Sequence, residues 1–258
     1  VGRRDQRELG GAWTTFQTHT FADPPPEVAP FVHRAWMVRW DLAGQPPYRQ
    51  LIVPLPQAHL TWVNDEPPVL HGVARGHQIR TLEGVGRAFG LAFRPGGLRP
   101  FLDCPMSSIT DRVVSPAPVL GSCGPLPDVP GDELFGRVPA MLRDRLPAPD
   151  PAVDEVAGIV ALIAREPGIA RVETLADRLG TGVRSTQRLF AEYVGVPPKW
   201  VIRRYRLHAV TERLAAGATI HWGQLAAELG YSDQAHLTRD FTEMFGEPPG
   251  HYAQRYPT

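Results

Sequence analysis

At 258 residues the chain is long enough for one large or two ordinary domains. Lys+Arg and Asp+Glu balance at 27 each, which counts against a strongly basic nucleic-acid binder. No apolar run approaches the length of a membrane span, and two cysteines, Cys104 and Cys123, are too few for a disulfide framework or a four-ligand zinc site. A reducing cytoplasm is the expected compartment.

The start, VGRRDQREL, has arginines with no apolar core behind them and is not expected to be a signal peptide. Residues 1–30, proline-rich around Pro24-Pro25-Pro26, read as an extended segment. From His33 the texture changes to short runs rich in aromatic and β-branched residues: 33–40, 49–55, 58–63, 69–73 and 87–93. Turn signals such as Ala43-Gly44, Asn64-Asp65 and Gly84 separate them, a spacing that predicts a small sandwich or barrel. Trp36 and Trp40 share parity on one strand and face the same side. With Trp62 and Phe93 they either line a small-molecule pocket or fill a core that needs bulky interior residues anyway. His33, His59, His71 and His77 show neither the i, i+4 spacing nor the HxH spacing of a metal site, so no metal is assigned.

After Phe93-Arg94-Pro95-Gly96-Gly97, residues 98–102 predict a short helix and 107–114 a helical turn or return strand. Residues 121–150 are rich in Gly and Pro, with an amphipathic section at 132–146 carrying Leu134, Phe135, Val138, Met141 and Leu142. Pro139 interrupts it, which excludes a long coiled coil. A helix pair linking two domains, and contributing to dimerisation, is expected. The next helix runs from about Pro151 to Arg165 and is stopped by Pro167-Gly168.

The last hundred residues contain one instruction written twice. Leu175-Ala176, Leu179-Gly180, Arg188, Phe190, Gly195 and Pro197-Pro198 find partners in Leu225-Ala226, Leu229-Gly230, Arg239, Phe241, Gly246 and Pro248-Pro249. Such self-similarity must be explained at many positions together. Each copy reads as helix, glycine turn, helix, with Thr181 and Ser232 as expected N-caps of the second helix. Leu237, Phe241, Met244 and Phe245 make one apolar face. The opposite face shows Gln234, Ala235, Thr238 and Arg239, and the matching face of the first copy shows Arg184, Gln187 and Arg188. Arg suits guanine edges and Gln suits adenine edges. One such face alone could be a solvated surface; two copies with the same polar face argue for a nucleic-acid reader.

The run from Gly230 to Tyr252, GYSDQAHLTRDFTEMFGEPPGHY, resembles the signature region of AraC/XylS-type transcription regulators. The resemblance covers about residues 151–256 and includes Arg206-Leu207 and Ala209. It implies a seven-helix DNA-binding domain with two helix-turn-helix units joined by a long helix at about Pro197–Ala216. Thr186 stands where the family usually has leucine, and His221-Trp222 replaces a small or aliphatic pair. The N-terminal half is similar, over about residues 45–120, to the β-rich half of a group of these regulators that carries FRPGG, PFL and TDRVV. That resemblance implies a cupin-like sensory or dimerisation domain.

The expected fold class is therefore α+β and multidomain: an N-terminal β-rich cupin-like barrel or sandwich (1–125), a helical linker (126–150) and a C-terminal all-α domain with two helix-turn-helix units (151–258). The resemblance implies a bacterial, effector-responsive activator, not an enzyme and without cofactor, acting as a homodimer on double-stranded DNA and RNA polymerase. Its DNA-binding residues would be Arg184, Gln187, Arg188, Gln234, Ala235, Thr238 and Arg239, and its effector pocket Trp36, Trp40, Trp62 and Phe93. Two alternatives stand beside it: an N-terminal half that only dimerises, or a cupin-like metal enzyme fused to a DNA-binding module. Residues 151–258 hold 12 basic and 12 acidic side chains. The charge argument therefore rests on distribution, with Arg184, Arg188, Lys199, Arg203, Arg204, Arg206 and Arg239 clustered in stretches expected to face the duplex. A neutral domain of this kind is expected to hold nonspecific DNA weakly.

Overall fold

Strands with two unlike faces build the first half of the chain. The computed structural model describes residues 5–121, 124–127, 129, 131–218 and 220–256, so Cys123 and the first four residues lie outside the described residues. The strands are β1 (Gln17–Ala22), β2 (Val32–Asp41), β3 (Tyr48–Ile52), β4 (His59–Val63), β5 (Val69–His71), β6 (Gln78–Leu82), β7 (Val85–Phe93) and β8 (Val113–Val114). Six of them form an antiparallel sheet in the order β1-β2-β7-β4-β5-β8, while β3 pairs with β6 alone.

Successive side chains on a strand point to opposite faces. Ala35, Met37, Leu60, Trp62, Phe89, Leu91 and Phe93 are therefore turned to one side, into a core shared with the short helix α1 (Ala117–Leu120) and with α2 (Gly131–Ala140). Trp36, Val38, Trp40, His59 and Thr61 face the other way, toward the β3-β6 ribbon. The predicted helical turn at 98–102 is a 3-10 turn (Arg99–Phe101), and 107–114 contributes both a 3-10 turn (Met106–Ile109) and β8.

The barrel expectation needs correction, because no closed barrel forms among the described residues. β1 and β8 are opposite edges of the sheet, and the ribbon pairs with neither. Pro54 and Pro56 follow β3, and Pro67-Pro68 precede β5, where a missing N–H ends a ladder. The linker helix also has a different place from the one expected. Leu134, Val138 and Leu142 are fully buried in the sheet's core, so α2 packs with the sheet, and Pro139 falls near its C-terminal end, where the helix is about to stop.

The second half is helical: α3 (Pro151–Arg165), α4 (Val172–Leu179), α5 (Val183–Tyr193), α6 (Pro198–Ala215), α7 (Trp222–Glu228), α8 (Gln234–Phe245) and α9 (Pro249–Tyr252). Asp150 caps α3 by accepting from the Ala152 N–H, with Pro151 at the first helical position, where its missing N–H costs nothing. One apolar core, including Val156, Val160, Leu175, Phe190, Leu207, Leu225 and Phe241, joins these helices.

The halves touch along several polar contacts. The Trp200 indole N–H donates to the Arg75 carbonyl (2.8 Å), Arg204 Nε to the Pro54 carbonyl (2.6 Å) and the Thr110 hydroxyl to the Gly195 carbonyl (2.6 Å). Arg94 pairs with Asp154 (2.8 Å) and Arg99 with Glu192 (2.6 Å). Val73 is buried in the helical core and Val53 packs against it. Leu134→Ala should lower unfolding free energy by about 2–5 kcal/mol in urea titrations, because it empties a filled site in the sheet's core. A loss under about 0.5 kcal/mol, the scale of surface changes, would mean that α2 is a tether outside that core.

Candidate functional site

The duplicated sequence becomes two copies of one local structure. Gly180 and Gly230 end the first helix of each pair with φ of 64° and 72°, a conformation that costs glycine little. The caps fall one residue later than Thr181 and Ser232. Gly182 occupies the cap position of α5, and at α8 the Asp233 carboxylate accepts from the His236 N–H (2.7 Å). That bond, first, holds the Asp233 carboxyl below its usual range, with help from Ser232 and from the charges of Arg239 and His236. Thr181 instead bonds across to the Thr186 hydroxyl (3.0 Å), and Thr186 also donates to the Gly182 carbonyl. This satisfies the buried Thr186 hydroxyl. Phe190 and Phe241 are both fully buried and anchor α5 and α8 to the core. Phe241 also stacks on Phe245 (4.1 Å between centroids).

Arg184, Gln187 and Arg188 are exposed on α5, as are Gln234, Ala235 and Arg239 on α8, while Thr238 is half-buried. Arg184 and Arg188 make no ion pair within the described residues. Gln187 borders a recess that it shares with Arg75, Ser107 and Thr110 of the first half.

The clustering of arginines on α6 works differently from the expectation. Arg203 pairs with Asp240 (3.1 Å) and Glu243 (2.5 Å) of α8. Arg204 is 4 % exposed, and its guanidinium lies over the Phe245 ring while bonding to Pro54. Burial pushes its pKa down to about 10, so it remains charged near neutrality. Arg206 stacks on Tyr231 (4.1 Å). These three side chains are engaged inside the protein. Their spacing in the sequence looked like a basic stripe because a helix presents cations to its own neighbours as readily as to a duplex. Of the seven expected cations, Arg184, Arg188, Lys199 and Arg239 are exposed.

A cavity of about 670 Å³ opens between the main sheet and the β3-β6 ribbon. Trp36 and Trp40 line it. Trp62 and Phe93, the other two members of the expected aromatic set, are 0 % exposed on the opposite face of the same sheet. Sequence reasoning grouped all four by type, whereas register divides them. His59 and His71, opposite one another on β4 and β5, join the lining instead, with Thr61 bonding to His71 Nε2 (2.9 Å). Burial pushes the His59 imidazole down to about 4, with a smaller contribution from His71, and burial also lowers His71 and His19. His33 and His77 lie away from this pair: His33 bonds to Arg34, and His77 sits against Gly246. No group of three or more His, Cys, Asp or Glu able to hold a metal occurs among the described residues.

Residues 175–255 match a helix-turn-helix domain family, and residues 20–115 match a domain of unknown function (DUF6597). The chain is similar to a probable AraC family transcriptional regulator from Rhodopseudomonas palustris CGA009, with 27% identity over 42% of this chain and 100% of that one, at a TM-score of 0.35. It is similar to the DNA-binding domain of AdpA in complex with a target DNA, with 23% identity over 40% and 90%, at a TM-score of 0.33. It is also similar to ToxT from Vibrio cholerae O395, with 11% identity over 93% and 96%, at a TM-score of 0.43. No described helix is long and apolar enough to cross a membrane.

The histidine shift has a pH signature. The folded state resists protonating His59 until about pH 4, whereas an unfolded chain takes up that proton near 6.5. Between these values the unfolded state binds more protons, so stability falls as pH falls. Urea melts at steps from pH 7 to pH 4 should show that loss, and His59→Gln should make the slope shallower. An unchanged slope would mean that His59 is charged in the folded protein.

Proposed function

We propose, for a DNA-binding transcription regulator that carries an AraC-type helix-turn-helix domain at its C-terminal end, that α5 and α8 enter successive major-groove segments on one face of the duplex. The separation would be one helical turn, roughly 34 Å, set by the length of α6. The observation that carries this reading is the exposure of matching polar faces on two helices whose opposite faces are anchored by equivalent buried phenylalanines. One protomer then supplies both readers with different side chains, Arg184/Gln187/Arg188 and Gln234/Thr238/Arg239, so each half-site is non-palindromic. Ala235 would sit against a thymine methyl or the sugar edge.

The β-rich part, with α2 included, is the sensory and dimerisation domain in this reading, and the division from the DNA-reading part falls at residues 146–150. A small effector would occupy the cavity beside Trp36 and Trp40. Pro54 and Val53 line that cavity, and Pro54 accepts the hydrogen bond from Arg204 while Val53 packs on the helical core. Occupancy of the cavity would therefore act on α6, the element that sets the distance between readers. Activation would proceed through contact with RNA polymerase at a promoter.

With a charge-balanced domain and few free cations, nonspecific affinity and its salt slope should both be small. Selection of bound sequences from random DNA with the full-length protein defines the half-site. On that site Arg188→Ala or Arg239→Ala should each cost about 1–3 kcal/mol of specific binding and relax preference at one base position. Equal loss on specific and nonspecific DNA, measured by fluorescence anisotropy, would reassign that side chain to a phosphate.

A further inference from the structure

The ribbon that covers the cavity has one face turned inward. In the β3–β6 register Tyr48 stands opposite Leu82, Gln50 opposite Arg80 and Ile52 opposite Gln78, and alternation puts these six side chains on one side. Tyr48 and Leu82 are 2 % and 5 % exposed and cluster with Trp40 and Ala88 of the main sheet, which fixes that side as the inner one. At the other end of the ribbon Ile52 is left 39 % exposed, so the two layers part there. Arg80 lies between the closed end and the open one, half-buried, in the lining of the cavity.

Its guanidinium has no partner from the protein. Arg80 makes no hydrogen bond or ion pair among the described residues, and no described Asp or Glu lines the cavity. Gln50, the residue opposite, is already committed: its side-chain carbonyl accepts from the Gln17 amide (2.9 Å), and its own amide donates to the Leu51 carbonyl (3.0 Å). The Arg80 charge is felt inside the cavity, because after burial it is the next cause holding the His71 imidazole below its usual range. Burial also keeps His19 and His59 neutral near pH 7, so the lining carries one positive charge. Much of the remaining wall is apolar, with Trp36, Val38, Ile52, Val53, Leu55 and Ala88. A charge entering such a place is costly unless an opposite charge meets it. A carboxylate meets a guanidinium with two parallel hydrogen bonds, a strong pairing for that side chain. A doubly charged phosphate would leave one charge unmatched, and an ammonium would meet only repulsion.

We propose that this cavity binds an organic monocarboxylate with an apolar body, its carboxylate paired with Arg80 and its body held between Val38 and Ile52. The inference rests on reading the cavity as the effector site, but it concerns which chemistry enters, and the two can fail separately. The test uses the full-length protein and two carboxylates with unlike bodies, decanoate and 2-naphthoate. Decanol and 2-naphthylmethanol are the neutral analogues, and decylamine and 2-naphthylmethylamine the cationic ones. Binding is read by calorimetry and by the rise in melting temperature that a native-state ligand causes. At least one carboxylate should bind about tenfold or more tightly than its alcohol, a difference of about 1.4 kcal/mol, and neither amine should bind better than its alcohol. Arg80→Gln should remove that preference and leave the alcohol's affinity in place, with far-UV circular dichroism checking the fold. Arg80→Lys keeps the charge without the fork and should retain part of the preference. Arg49→Gln, which removes a positive charge from the exposed outer face of the ribbon, should leave it unmoved. If Arg80→Gln does not fold, the unaltered protein's ranking of acid, alcohol and amine still decides. No binding of either carboxylate, no preference over the alcohol, or a preference that survives Arg80→Gln overturns the proposal. Carboxylate binding that needs Arg80 but leaves DNA affinity unchanged supports the proposal and overturns the sensory reading. A DNA response to a compound without a carboxylate, with neither acid bound, does the reverse.

Discussion

A strand cannot turn two neighbouring side chains to the same side, and the rest of the molecule follows from how β2, β4 and β7 obey that rule. Leu60, Trp62, Phe89, Leu91 and Phe93 go one way and make a dense core with α2. Trp36, Trp40, His59 and Thr61 go the other way and leave a space under the ribbon. A slip of one residue in register would exchange the two sets, emptying the core and blocking the cavity together. The glycines at 86 and 90 reinforce the register, since only they admit the indoles opposite. The filled core and the cavity are thus two results of one alternation.

A second constraint ties this sheet to the helical half. Taking a guanidinium out of water is costly, and the cost is offset only where hydrogen bonds and ring faces replace the solvent. Arg204 has the Pro54 carbonyl and the Phe245 ring for that purpose. Arg203 has two carboxylates of α8, and Arg206 has Tyr231. Much of the domain's cationic inventory fixes α6 against α8 and against the sheet, and a smaller group remains exposed on α5 and α8. Affinity for DNA would then depend on base contacts more than on bulk charge, in keeping with a reader whose neutral surface adds little on random sequence.

The helical half was legible residue by residue because its signals are local and repeated. Glycines at 180 and 230, the apolar stripe of α8 and the Asp150-Pro151 start of α3 each fix their element without help from distant parts of the chain. The sheet was legible only in its strongly apolar strands. β1 (QTHTFA) and β6 (QIRTL) are mostly polar, because one is an edge strand and the other belongs to a two-stranded ribbon with an exposed face. Neither has a periodicity that distinguishes it from an extended loop. The division of Trp36 and Trp40 from Trp62 and Phe93 was hidden for a different reason. Parity can be read within a strand, but the relative phase of two strands is set by pairing, which is non-local. The caps at Gly182 and Asp233 show the same limit on a small scale, since Thr181 finds a better partner in Thr186.

The two remote stretches 10–11 and 254–255 also meet. The Gly10 and Gly11 N–H groups donate to the Gln254 and Arg255 carbonyls, at 2.9 and 2.7 Å. The polypeptide therefore runs a circuit from residues 10–11 through the sheet, across residues 146–150, and through the helices back to the same place. Swinging the halves apart requires these two backbone bonds to open together with the Trp200–Arg75, Arg204–Pro54 and Thr110–Gly195 bonds and the packing of Val73. A protease cut at residues 146–150 would leave the two pieces held together by this whole set of contacts.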